Sequence, residues 1–278
     1  MGAYLFCGER KAIIDVGPRL VIPNLLAALA ELGVSPLEID YIILTHIHID
    51  HAGGVGTALK TMSRAEVVAH PQALSHLINP ARLWKSSLKT LGDLAAAYGE
   101  IEPVPEDRII AAADLMEIDL GCGLKLEVHL TPGHAPHHLS LYEPAGGVLI
   151  AGETAGVCVR GEVRPATPPP FKLKETLDSI DKLIALAPQK ICYGHFGCYD
   201  GALEKLTLLR QKLLVWREIV SRAAGAGKRA EDILTVLREE DRSLDYLNRL
   251  SKAEYDREYI FLINTVRGLA EEAALTPE

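Results

Sequence analysis

The sequence predicts an α/β protein with a helical C-terminal extension. Three observations carry this reading. Up to about residue 200, short β-branched apolar runs alternate with Ala- and Leu-rich stretches, the pattern of strands interleaved with helices. Beyond that point the apolar residues recur at three- and four-residue steps, the period of a helix face. Finally, the apolar run Tyr41-Ile42-Ile43-Leu44-Thr45 ends in His46-Ile47-His48-Ile49-Asp50-His51, four metal-competent side chains within six residues.

In chain order, Ala3 to Phe6 and Lys11 to Asp15 read as strands, the second closed by the turn signal Gly17-Pro18. Leu25 to Leu32 reads as a helix capped at Gly33. Residues 41–45 are the next strand. A helix of about ten residues is expected after Gly53-Gly54, then a strand over Glu66 to Ala69. Residues 71–99 carry helical composition, and Pro103-Val104-Pro105 reopens extended chain. Leu115 to Ile118, Leu124 to Leu130, Leu139 to Tyr142 and Val148 to Ala151 read as successive strands. Residues 165–170 form a proline-rich crossing, Leu173 to Ala187 an amphipathic helix, and Lys190 to Tyr193 a last strand running into His195. Leu206, Leu209, Leu213, Trp216 and Val220 mark one helical stripe; Tyr255, Tyr259, Leu262, Val266 and Leu269 mark another. The second opens with the capping box Ser251-Lys252-Ala253-Glu254. The expected domains are therefore 1–202, with 71–99 as a helical insertion, and a helical extension over 203–278 that packs on the first. Some of Trp216, Tyr255 and Tyr259 are expected near the entrance to the site, a dimer interface being the alternative use of the same stripes.

At 278 residues the chain can bury a full core. Its net charge of −8 argues against nucleic acid as the main partner, because phosphate binding normally needs a basic face. No apolar run is long enough to span a bilayer, and the N-terminus does not read as a signal peptide. The five cysteines are odd in number and contain no C-x-x-C pair, so no disulfide framework or structural zinc knuckle is expected. A cytoplasmic location fits this usage.

His46, His48, Asp50 and His51 resist a purely structural explanation. As buried core groups they would need four separate hydrogen-bond solutions, whereas imidazole and carboxylate donors suit zinc, iron or manganese. H-x-H-x-D-H after a strand, followed by Ala52-Gly53-Gly54, resembles the signature of the metallo-β-lactamase superfamily. Further segments resemble that family in its own order: Ile14-Asp15-Val16-Gly17, Thr131-Pro132-Gly133-His134, Ala151-Gly152-Glu153-Thr154 and Tyr193-Gly194-His195. The resemblance covers residues 3 to about 200 and implies a four-layer αββα sandwich. It also implies that His46, His48 and His134 hold one metal ion and Asp50, His51 and His195 a second. Glu153, standing where the family usually has aspartate, would bridge them. Asp15 would support the histidine loop by hydrogen bonds rather than ligate. His138 matches a histidine usually structural in the family. His137 stands where glycine is frequent; facing solvent and facing substrate are equal alternatives for it. His70, His76 and His129 read as structural.

The resemblance implies two divalent ions, zinc first and iron or manganese as alternatives. Such ions share a water and lower its pKa toward about 7, so that the hydroxide attacks a carbonyl or phosphoryl centre. Asp50 is the candidate for moving the proton to the leaving group. Small intracellular esters, thioesters or lactones are the expected substrates, with phosphodiesters second. Thioesterase and lactonase relatives commonly carry an aromatic three places after the bridging residue; here Gly156 stands there, which predicts a more open floor. Nucleic-acid-processing relatives carry a large insertion that the 60 residues separating His134 from His195 leave no room for. An iron-dependent oxidoreductase and a non-catalytic binding protein are the alternatives from other classes. A small-molecule substrate and no membrane partner complete the expectations, with a homodimer and a pocket roof as the two alternatives for the C-terminal helices.

Overall fold

The computed structural model describes residues 1–275; the last three positions of the expected 203–278 extension lie outside them. The chain forms two compact units, Met1–Leu130 with His137–Ile150, and Thr131–Pro136 with Ala151–Glu278.

The first unit contains β1 (Tyr4–Cys7), β2 (Lys11–Ile14), α1 (Ile22–Glu31), β3 (Ile39–Ile43), α2 (Ile49–Ala52), α3 (Val55–Ala58), β4 (Glu66–Ala69), α4 (Leu74–Ile78), α5 (Ala81–Leu91), α6 (Asp93–Tyr98) and β5 (Ile109–Ala111). Then follow β6 (Glu117–Gly121), β7 (Leu124–Leu130), β8 (Leu139–Glu143) and the start of β9 (Val148–Gly152). Strands β1 to β5 form one sheet in sequence order, antiparallel at β1–β2 and parallel thereafter. The parallel strands explain the near-continuous apolar runs, since such strands are covered on both faces. Ile13, Ile42, Leu44, Ile47, Val55 and Val67 lie together in the core beneath the histidine loop. Strands β6, β7, β8 and β9 form an antiparallel meander.

The helix expected after Gly53-Gly54 is shorter than its composition predicts. α3 ends at Ala58, because the next amides bond three residues back, Lys60 to Thr57 and Thr61 to Ala58, the tightening that closes a helix. The insertion at 71–99 is helical as expected. His70 caps its first turn, Nδ1 accepting from Gln72 N at 3.1 Å, and burial holds its pKa below the usual histidine value.

In the second unit the end of β9 lies beside β12 (Lys190–Tyr193), itself paired with β13 (Cys198–Asp200). Between them in sequence come the hairpin β10 (Val157–Val159) and β11 (Glu162–Arg164), then α7 (Leu173–Ala185). α8 (Ala202–Gly225), α9 (Ala230–Glu240) and α10 (Lys252–Leu275) complete it. The predicted capping box is present: Ser251 N donates to Glu254 Oε2 at 2.8 Å, and Glu254 N to Ser251 Oγ at 3.4 Å.

The first stripe is buried throughout; in the second, Leu262, Val266 and Leu269 are buried and Tyr255 and Tyr259 half-buried. Trp216 is fully buried and donates from Nε1 to Asp241 at 2.8 Å. Tyr255 stacks on Tyr259 and accepts from Arg238. The helices lock onto the chain at 164–167. Arg164 donates through Nη2 to Glu258 at 2.9 Å and through Nε to the other carboxylate oxygen, which also accepts from Tyr246. Burial alone would push Glu258 up; Arg164 and these hydrogen bonds hold it below the usual carboxylate range. Thr167 Oγ1 donates to Thr265 O at 3.0 Å. α10 approaches so closely that a Cβ on Gly268 would sit 1.8 Å from Thr167 O.

One expectation from the cysteine count is corrected. Cys192 and Cys198 form a disulfide. Their spacing has no familiar motif; the register of β12 on β13, which places 192 opposite 198, brings them together. Among the described residues no helix is long and apolar enough to cross a membrane.

Candidate metal centre

The histidine loop is built by β3 and fastened by the turn after β2. Leaving β3, the chain cannot continue as strand, because Thr45 N turns to a carboxylate: it donates to Asp15 Oδ1 at 2.8 Å, and Thr45 Oγ1 donates to Oδ2 at 2.7 Å. Val16 N and Gly17 N donate to His51 O at 3.1 and 3.0 Å, and Gly54 N returns to Gly17 O at 2.8 Å. Asp15 Oδ2 also lies 2.7 Å from His51 Nδ1. Asp15 is therefore the buried hub of the loop, as the sequence predicts.

These contacts decide which ring nitrogen each histidine can present. Nδ1 of His51 faces Asp15 and Nδ1 of His46 lies 3.0 Å from Thr45 Oγ1, leaving Nε2 of each as the donor toward a metal. The His46 ring packs edge-on to His48 at 4.6 Å and tilted to His51 at 4.2 Å between centroids. Asp50, in the first turn of α2, places Oδ2 3.8 Å from His51 Nε2. All four predicted residues thus converge. The neighbouring histidines converge as well. His138 is fully buried and stacks 5.2 Å from His46, while half-buried His137 lies 5.9 Å from His48 and accepts from Ile47 N.

The second unit brings together the other three predicted residues. His134 follows the tight Thr131-Pro132-Gly133 turn, which Ser179 of α7 pins by donating to Pro132 O at 2.7 Å. Nδ1 of His134 lies 2.9 Å from Ala166 O, again leaving Nε2 to ligate. Glu153 leaves the end of β9, and its two oxygens diverge: Oε2 is 2.8 Å from His134 Nε2, and Oε1 is 3.4 Å from His195 Nε2. Thr154 Oγ1 donates to Thr131 O at 2.8 Å, tying these segments together. His195 sits at the tip of the β12–β13 hairpin beside Phe196.

The floor expected to be open at Gly156 is filled. Gly156 has φ +71, and a Cβ there would meet Arg164 O at 2.2 Å and Leu209 of α8 at 2.9 Å. The cavity behind His134 and Glu153, lined also by Thr167, Leu209 and Leu213, holds only about 10 Å³, about one water. Sequence reasoning missed Ala166, Thr167, Leu209 and the cysteine pair around His195.

The donor sets fit divalent transition metals. Imidazole Nε2 atoms fixed by partners on Nδ1, together with carboxylates, are ligands for zinc, iron or manganese. His46 and His48, Asp50 and His51, and His134 and Glu153 each present ligand atoms within 4.8 Å of one another.

The chain is similar to known proteins. The profile of the Metallo-beta-lactamase superfamily matches residues 3–195. The chain is 34% identical over 199 residues to Metallo-beta-lactamase fold-containing protein ST1585 of Sulfurisphaera tokodaii, covering 70% of this chain and 72% of that one. The crystal structure of ST1585 superposes with a TM-score of 0.70 at 26% identity, covering 97% of this chain and 92% of that one. The family protein TTHA1429 of Thermus thermophilus gives 0.71 at 22%, covering 98% and 88%. Hydroxyacylglutathione hydrolase of Rhodobacter capsulatus is 25% identical over 175 residues, covering 63% of this chain and 55% of that one.

Proposed function

The chain belongs to the metallo-beta-lactamase superfamily, whose members are typically metal-dependent hydrolases, and from that premise we propose that it hydrolyses a small ester, thioester or lactone with two divalent ions. The observation that carries the proposal is the divergent Glu153 carboxylate, with one oxygen toward His134 and the other toward His195. The extra methylene relative to the family's usual aspartate still allows it to serve two ligand sets.

In this reading His46, His48 and His134 would hold one ion and Asp50, His51 and His195 the second, with Glu153 as a shared ligand. Bound ions of this kind supply Lewis acidity and an activated water. The chain's own residues do the rest. Asp15 and Ala166 O fix the imidazoles of His51 and His134 so that they do not rotate away. Asp50 lies on the Nε2 side of His51, 3.8 Å from it, and is the carboxylate assigned to carry a proton to the leaving group. The filled space at Gly156 denies substrate the region behind Glu153. Acyl compounds of modest size are therefore favoured over polymers, in agreement with the net charge of −8.

Elemental analysis with a substrate panel tests this. Wild-type protein should carry about two divalent ions, zinc first, and hydrolyse an ester, thioester or lactone in a chelator-sensitive manner. His46→Ala with His48→Ala should reduce both to background. Full metal occupancy in that double variant would refute the ligand assignment. Selective turnover of phosphodiesters would reassign the substrate class, and two tightly held ions without turnover of any class would make this a binding protein.

A further inference from the structure

His195 is the one proposed ligand enclosed by a covalent ring. β12 and β13 pair antiparallel, and Tyr193 N donates to Gly197 O at 3.1 Å. Residues 192 and 198 therefore occupy the adjoining non-hydrogen-bonded pair, the position where facing Cα atoms come closest, about 4.5 Å apart in general. Here they are 4.1 Å apart and joined Sγ to Sγ. The bond encloses five residues, Tyr193 to Gly197, with His195 at the centre.

Two features make this more than a local staple. Cys198 is exposed whereas Cys192 is buried, so a dissolved thiol can approach from one side only. The enclosed loop also resists its own conformation. Phe196 adopts φ +66, the left-handed region that bulky residues avoid, and is itself 54% exposed. Such a backbone persists only where its ends are held. Besides the disulfide and the Tyr193–Gly197 bond, the loop is anchored by Gly194 N donating to Gly152 O at 3.0 Å, next to Glu153, and by Tyr199 Oη donating to Phe196 O at 3.2 Å.

We propose that Cys192–Cys198 is a thiol–disulfide exchange site for low-molecular-weight thiols, and that its redox state sets how firmly His195 holds its metal ion. The inference rests on His195 being a ligand. The thiolate of a small thiol attacks Cys198 Sγ, forming a mixed disulfide and releasing the Cys192 thiolate, which takes a proton. A second small-molecule thiolate attacks the small-molecule sulfur of the mixed disulfide. This releases Cys198 as a thiol, after protonation, and a small-molecule disulfide. Two small thiols are oxidised and two cysteines reduced; the small-molecule disulfide drives the reverse.

The test equilibrates the zinc-loaded full chain in glutathione buffers of graded redox ratio and traps thiols by alkylation after denaturation. Mass spectrometry then counts them, while zinc is measured on the same samples after dialysis. Three alkylated cysteines, Cys7, Cys122 and Cys158, are expected in the oxidised protein and all five in the reduced one. Reduction should weaken retention of one ion about 10- to 100-fold, the usual effect of losing a ligand's support. Cys192→Ser with Cys198→Ser should behave as reduced at every ratio, and Cys7→Ser with Cys122→Ser as wild type. Equal zinc retention in oxidised and reduced wild type, or no reversible change at 192 and 198, would overturn the proposal. His195→Ala separates the underlying reading. If it holds two ions as tightly as wild type, the ligand assignment fails, whatever the cysteines do.

Discussion

The histidine loop and the Glu153 region reach similar ends by opposite means. The loop concentrates four donors within six residues, and one carboxylate thirty positions away, Asp15, orients Thr45 and His51 together. Almost all its order is therefore local. The Glu153 region gathers three donors from segments some twenty and forty residues apart, and its supports come from further still. His134 leans on Ala166 O, and the neighbouring Thr167 is fixed by Thr265 and by close contact with Gly268. A ligand set made in one stroke of chain depends on a single hub. A set assembled from many segments depends on the packing that aligns them.

Glu153 gives the largest test of that contrast. Glu153→Ala should lose one ion preferentially and with it turnover, while Glu153→Asp should retain both, as read by metal stoichiometry and turnover. Two ions at wild-type affinity in Glu153→Ala would remove Glu153 as a bridge and leave the second region without a centre. Asp15→Asn probes the hub. It preserves shape but removes the charged acceptor shared by Thr45 and His51. Zinc affinity, measured by competition with a chelating dye, should fall about 10- to 100-fold. An unchanged affinity would show that the loop needs no hub. The smallest and most discriminating change is Gly268→Ala. The added methyl collides with the Thr167 backbone, so thermal unfolding should register a loss of about 1–3 kcal/mol. The displacement should reach His134 through Ala166 and weaken zinc retention a few-fold. Loss of stability with unaltered zinc retention would break the claimed dependence of this region on the distant helix.

The same contrast explains what could be read from the chain. The loop and Asp15 were legible because their residues are chemically conspicuous and adjacent to strong strand signals. So were the two helical stripes and the Ser251 capping box. β5, β10, β11 and β13 were not, since three residues are too few for a period and these strands exist by virtue of their partners. Ala166 acts through its carbonyl, which no residue type advertises. Trp216 is buried as its stripe predicts, but an amphipathic stripe foretells burial and not the partner, and here Asp241 takes the indole N–H. The cysteine pair did leave a trace, for Cys192 and Cys198 stand symmetrically about His195, with Gly194 and Gly197 providing turn residues.

Gly156 limits what this lineage can become. Its α-carbon faces the carbonyl of Arg164 and the Leu209 side chain of α8, and no side chain of any size can be introduced while both remain. The aromatic that thioesterase and lactonase relatives commonly carry there is thus not one substitution away. It would require the β11 backbone at Arg164 to move first, and then Leu209 of α8, a helix held by a fully buried Trp216. Attempts to graft such a relative's specificity onto this scaffold should begin by rebuilding the β10–β11 hairpin, and point mutagenesis at 156 alone should yield a destabilised protein rather than a new activity.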